Sequence, residues 1–135
     1  MKRWLLAWVA CFVVTFLLAT PAAAKMEFDR YELIILRSVA GAKEPTKEEH
    51  KTLMEGHLGH FRKMAAAGKL KVCGPFGDQD DKTAEGLCLY QVGSVAEARK
   101  LAEEDPAVKA GQLRVEVMTW YCQKGVIAFP PLPKP

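Results

Sequence analysis

The sequence has no large excess of charge of either sign. Its 135 residues carry 19 Lys and Arg against 16 Asp and Glu, a formal net charge of +3. Nucleic acid and anionic membranes call for a basic patch that this balance does not supply, so neither is expected as a partner. Histidine is scarce, with three residues, His50, His57 and His60. The HLGH stretch lacks the H-E-x-x-H spacing, and no cysteine or carboxylate cluster nearby completes a zinc shell. The acidic stretch GDQDDKTAEG lacks the glycine and the terminal glutamate that a calcium loop requires. No C-G-x-C-W-like motif marks a nucleophilic cysteine. No metal and no cofactor are therefore expected. The chain also has no internal repeat and no linker that would divide it.

The N-terminus, by contrast, carries a pattern. In MKRWLLAWVACFVVTFLLATPAAAKM, Lys2 and Arg3 form a basic start, Trp4 to Ala19 is nearly all apolar, and Ala22 and Ala24 are the small residues of an A-x-A cleavage site. The run is short for a bilayer span of about 20 residues. Residues 1–24 are read as a signal peptide, so the mature protein is expected to be periplasmic or secreted and free of the membrane. A lipoprotein cut before Cys11 would leave the apolar FVVTFLLAT as a poor solvated tether. Cleavage after Ala24 leaves 111 residues, one domain's worth, with 17 basic and 16 acidic side chains. It also removes Cys11 and leaves Cys73, Cys88 and Cys122, an odd number in an oxidising compartment.

Phe28 to Val39 reads as a strand, and its centre, ELIIL, is apolar on both faces. Thr46 and Glu49 form a capping box for a helix from Lys47 to about Ala67, with Gly68 as the left-handed residue after it. On that helix Met54, Leu58, Phe61 and Ala65 make the expected core-facing stripe. His57 lies about 60° from its centre and His60 about 120°, which puts His57 on the border of the buried face and His60 on the outer flank. Lys69 to Phe76 and Glu85 to Val92 read as two strands of a hairpin. Ser94 and Glu97 suggest a second capping box and a second helix to Glu104. Asp105 and Pro106 are a natural N-cap and first residue of a short turn ended by Gly111. Leu113 to Gln123 alternates as a fourth strand, and residues 126–135 form a proline-rich C-terminal tail expected to be extended.

The order β-α-β-β-α-β predicts an α+β, ferredoxin-like fold: a four-stranded antiparallel sheet with two helices on one face. The other face needs a cover because ELIIL is apolar on both sides. A second copy packed sheet to sheet supplies one, so a homodimer is expected. In the hairpin, a loop centred near Asp80 and Asp81 sets Cys73 opposite Cys88. The Cα spacing of such a pair, about 4.5–5.5 Å, is within reach of a disulfide. Two buried thiols are the other reading, because a slip of one residue would turn them to opposite faces.

The stretch GHLGHFRKMAAAGKLKVCGPF and the later SVAEARKLAEEDPAVKAG together resemble the YCII-related domain family of the dimeric α/β-barrel superfamily, over Tyr31 to about Gln123. The domain is set at residues 25–125. The resemblance implies the ferredoxin-like fold, a dimer built on facing sheets, and a site pairing a helix histidine with the aspartate before the proline. Counting back from Gly74-Pro75 places that histidine on His57, and the aspartate falls on Asp105. Two features depart from the family: Ala107 stands where an aromatic residue usually follows the Asp-Pro pair, and an export signal and proline-rich tail flank the domain.

The residues support the pair independently. Both helices share one face of the sheet, so a mid-helix His57 and an Asp105 at the tip of the second helix can meet at a cleft. A carboxylate accepting one imidazole N–H fixes the tautomer and raises the basicity of the other nitrogen. An imidazole, with an ordinary pKa of about 6.5, then moves protons near neutral pH. Asp105 is required as a cap whatever the function, and His57 has the alternative of a half-buried helix residue satisfied by a neighbour. The first functional reading is a lyase or isomerase acting on a small lactone or enol-acid, with His57 and Asp105 as catalytic residues. The alternative is a non-catalytic dimeric ligand-binding or structural module of the cell envelope.

Overall fold

The computed structural model describes residues 25–130. The expected signal peptide and the last five residues of the tail lie outside the described residues. The elements are β1 (Phe28–Ser38), α1 (Lys47–Ala66), β2 (Leu70–Pro75), β3 (Ala84–Tyr90), α2 (Val95–Glu103), the single turn α3 (Pro106–Lys109) and β4 (Leu113–Gln123). The strands form one antiparallel sheet in the order β2-β3-β1-β4. This is the α+β, ferredoxin-like arrangement that the order of elements predicts.

Local chemistry sets the boundaries. The Thr46 hydroxyl accepts from the Glu49 N–H, and the Glu49 carboxylate accepts from the Thr46 N–H at 2.7 Å, so the α1 capping box is complete. Gly68 follows the helix with φ of 71°. The second box is only half made. Ser94 accepts from the Glu97 N–H, but the Glu97 carboxylate reaches past the cap to the N–H of Gly93 at 3.2 Å.

Pairing sorts the sheet into two faces. Ile34 lies opposite Cys88 on β3 and Val117 on β4, and Leu36 lies opposite Gly86 and Val115. Ile34, Leu36 and Cys88 pack with Met64, Leu70, Ala98, Leu101 and Ala102 as the core beneath the helices. The other face carries the half-buried Leu33 and Ile35 with the exposed Val72, Met118 and Trp120, so ELIIL is apolar on both sides, as its composition indicates. Part of the tail turns back onto this face, where Phe129 meets Tyr31 edge-on at 5.5 Å between ring centroids. Glu32, fully buried near the middle of β1, is ion-paired to Arg30 at 2.6 Å and accepts from the Thr119 hydroxyl at 2.9 Å. Partners of this kind are what a buried charge requires.

Cys73 and Cys88 are directly opposed in register and joined by a disulfide, with Cα atoms 4.1 Å apart. Cys122 is the free cysteine among the described residues.

The α1 stripe differs from its sequence pattern. His60 and Met64 are the buried residues of the helix, whereas Met54 and Leu58 are exposed. His60 belongs to the core face and not to the outer flank. Apolar periodicity records which residues avoid water. It does not distinguish a packed core from a cavity wall, and Met54 and Leu58 border a cavity.

Candidate active site

The cavity opens between α1 and the Ser38 end of the sheet and encloses about 630 Å³. That is within the range of about 300–1,000 Å³ typical of small-molecule sites. Leu36 and Gly86 line it from the sheet, Leu53, Met54, Leu58 and Phe61 from α1, and Ala107 from α3. Ser38, His50, His57, Glu85 and Gln112 are its polar lining side chains. Cys73 also lines it, so the disulfide braces one wall.

Two close approaches place the central pair. Gly56 on α1 lies against the Pro106 ring, so close that even a methyl group there would press on the proline. That contact brings the next residue, His57, over the N-terminus of α3. Asp105, 1% exposed, caps that turn by accepting the Ala107 N–H at Oδ1 over 2.8 Å. Its other oxygen, Oδ2, is 2.6 Å from His57 Nδ1. Facing a carboxylate, Nδ1 donates, and the tautomer is set with Nε2 unprotonated in the neutral ring. His57 lines the cavity whereas Asp105 does not, so carboxylate, imidazole and cavity follow in that order. Phe61 stands edge-on to the His57 ring at 4.3 Å and limits its rotation. The cap required for α3 and the imidazole partner are thus the same side chain, acting through different oxygens.

The three histidines separate. His50 lies on the exposed part of the cavity wall, two turns before His57. His60 is buried behind the site, with no hydrogen-bond partner at Nε2 among the described residues. Burial holds its imidazole below the usual value, with the charges of Asp105 and Glu104 pulling the other way. Tyr90, also buried and with no partner for its hydroxyl among the described residues, is pushed up to about 12 by burial and by the charges of Asp105 and Glu104. Sequence reasoning did not anticipate His60 and Tyr90 as neighbours of the Asp105 charge. Position 90 pairs with Glu32 across β1 and β3, and this strand pairing carries no sign of Asp105, which approaches from the helix layer. Glu85 and Gln112 gave no signal in the sequence. Among the described residues, no group of three or more His, Cys, Asp or Glu side chains is arranged to hold a metal ion, and no helix is long and apolar enough to cross a membrane.

The family profile of the YCII-related domain matches residues 33–121. No curated protein sequence matches the chain. Among solved structures, the 5-chloro-2-hydroxyhydroquinone dehydrochlorinase of Burkholderia phenoliruptrix AC1100, in complex with 2,5-dihydroxybenzoquinone, is similar to this chain. The match has a TM-score of 0.49 and 22% identity, and it covers 67% of this chain and 92% of that one.

Proposed function

The chain belongs to the YCII-related domain family, and on that premise we propose that it is a small-molecule enzyme of the lyase or isomerase type, with His57 as proton carrier and Asp105 as the group that orients it. The observation that carries this reading is the 2.6 Å contact between Asp105 Oδ2 and His57 Nδ1 beside a cavity that His57 lines. In the reaction, His57 Nε2 takes an acidic proton from carbon next to a carbonyl, and the bonding electrons pass into an enolate. Asp105 stabilises the imidazolium that forms. Returning the proton to a different carbon gives an isomer. Expelling a leaving group from the neighbouring carbon gives an elimination product. Proton transfer of this kind contributes about 10²–10⁴-fold in rate.

The protein acts outside the cytoplasm as a homodimer. The Cys73–Cys88 bridge supports export, because such bonds persist in oxidising compartments. The exposed Val72, Met118 and Trp120 on the sheet face away from the helices support pairing through that face. Sedimentation of the chain as a monomer at micromolar concentration would refute the dimer.

The test of catalysis is solvent-deuterium uptake into a panel of enolisable ketones and lactones, read by mass spectrometry. The wild-type chain is expected to accelerate uptake into at least one, and His57→Asn to lose that acceleration. Binding without exchange across the panel would instead make the protein a ligand-binding module.

A further inference from the structure

We infer, on the reading of the site given above, that the cavity selects an uncharged, largely apolar, hydroxyl-bearing small molecule and discriminates against carboxylates. Three observations converge on this.

The walls are apolar where a ligand would lie. Met54 and Leu58 are 42% and 45% exposed, although the helix pattern marks them as residues that avoid water. They and Phe61 border the cavity, so an apolar occupant covers them and completes the burial that the periodicity of α1 encodes.

The charges are wrong for an anion. Among the described residues, no lysine or arginine lines the cavity, and Glu85 lines its exposed side. With a neutral imidazole, the His57–Asp105 pair carries the aspartate's negative charge. A carboxylate entering here would lose hydration against apolar walls with no fixed cation to replace it, and would meet two like charges. Among the described residues, His50 is the other lining group able to become cationic, but it is exposed and its charge is screened by solvent.

The polar side chains left free are chiefly acceptors. The Ser38 hydroxyl donates to the Thr83 carbonyl at 3.3 Å, which leaves its oxygen as an acceptor. Gln112 commits one amide N–H to the Lys43 carbonyl at 2.9 Å. His57 offers Nε2, and Glu85 offers carboxylate oxygens. A ligand that brings its own O–H donor satisfies this set, whereas a carboxylate, an acceptor only, does not. Of the two compound types expected from the sequence, uncharged lactones fit the cavity and enol-acids do not, and a hydroxyl on the ligand improves the match.

The matched probes are 4-hydroxyacetophenone and 4-hydroxybenzoate, which share a skeleton and differ in one acetyl group against a carboxylate. They are titrated calorimetrically into the full chain near neutral pH. The neutral probe is expected to bind about tenfold more tightly or better. Glu85→Lys is expected to narrow the gap by strengthening 4-hydroxybenzoate alone, and 4-methoxyacetophenone, lacking the donor, to bind more weakly than its hydroxyl counterpart. Equal or tighter binding of 4-hydroxybenzoate overturns the inference, as does the absence of binding by both hydroxyl-bearing probes. The preference is expected to survive in His57→Asn, whose catalytic defect is read by deuterium uptake, so failure of the catalytic reading and failure of this one appear in different assays.

Discussion

Gly56 lies against Pro106: a Cβ at position 56 would stand 3.1 Å from the proline Cγ and 3.3 Å from its Cβ. This approach seats α1 over the α3 turn and brings His57 to Asp105. Glycine inside a helix costs about 1 kcal/mol relative to alanine, so the packing at this position offsets a local penalty. Gly56→Leu is expected to push the two elements apart and slow deuterium uptake by about 10²-fold, the scale of a displacement near 1 Å. Gly56→Ala needs only a small shift of the proline ring and is expected to cost far less activity. Exchange rates and thermal melts of both variants check this.

Asp105 has two duties, and two substitutions separate them. Asparagine is a good N-cap, so Asp105→Asn keeps α3 and is expected to change stability by about 1 kcal/mol or less. It removes the charge that holds His57, and activity is expected to fall by about 10²–10⁴-fold. Asp105→Ala loses the cap as well and is expected to melt lower than Asp105→Asn at similar activity. Equal activity of Asp105→Asn and wild type would remove the carboxylate from the mechanism.

His60 makes stability depend on pH. In the unfolded chain it titrates near the ordinary value of about 6.5. In the folded chain, burial holds it lower, against the opposing charges of Asp105 and Glu104 and with that of His57. The unfolded state therefore binds the proton first on acidification. Stability from this group is complete above about pH 6.5 and declines as pH falls from there towards the folded value. His60→Leu is expected to flatten the fall in melting temperature over that window, measured against wild type from neutral to mildly acidic pH.

The Cys73–Cys88 bond closes a loop with a sequence separation of 15 residues. Chain-entropy arguments give about 3 kcal/mol for a loop of that length. Reduction, or Cys73→Ala with Cys88→Ala, is expected to lower unfolding free energy by roughly that amount in denaturant titrations. Because Cys73 lines the cavity, binding of 4-hydroxyacetophenone is expected to weaken as well.

Much of this architecture was legible in the chain, for identifiable reasons. Capping residues are local chemistry, so Thr46, Ser94 and Asp105 mark helix starts without tertiary knowledge. The last strand alternates cleanly and ends in turn residues, and Leu113–Gln123 is its observed span. The meeting of His57 with Asp105 follows from helices sharing one sheet face. What was not legible depends on distant packing. Met54 and Leu58 look like core because a cavity wall and a core use the same side chains. His60 looks like surface because it lies about 120° from the centre of a stripe whose first half borders the cavity and not the core, yet it is buried. The acceptors Glu85 and Gln112 come to the cavity from β3 and from the residue before β4, a convergence that no local pattern records.

In the proposed site Asp105 holds the His57 ring with an unprotonated Nε2 towards the ligand. Nitrogen-15 NMR of histidine-labelled protein tests it most directly. The expected spectrum shows a protonated Nδ1, a bare Nε2 in the neutral ring, and a shift of the Nε2 resonance when 4-hydroxyacetophenone binds. A proton on Nε2 in the free protein, or an Nε2 resonance indifferent to bound ligand, would contradict it.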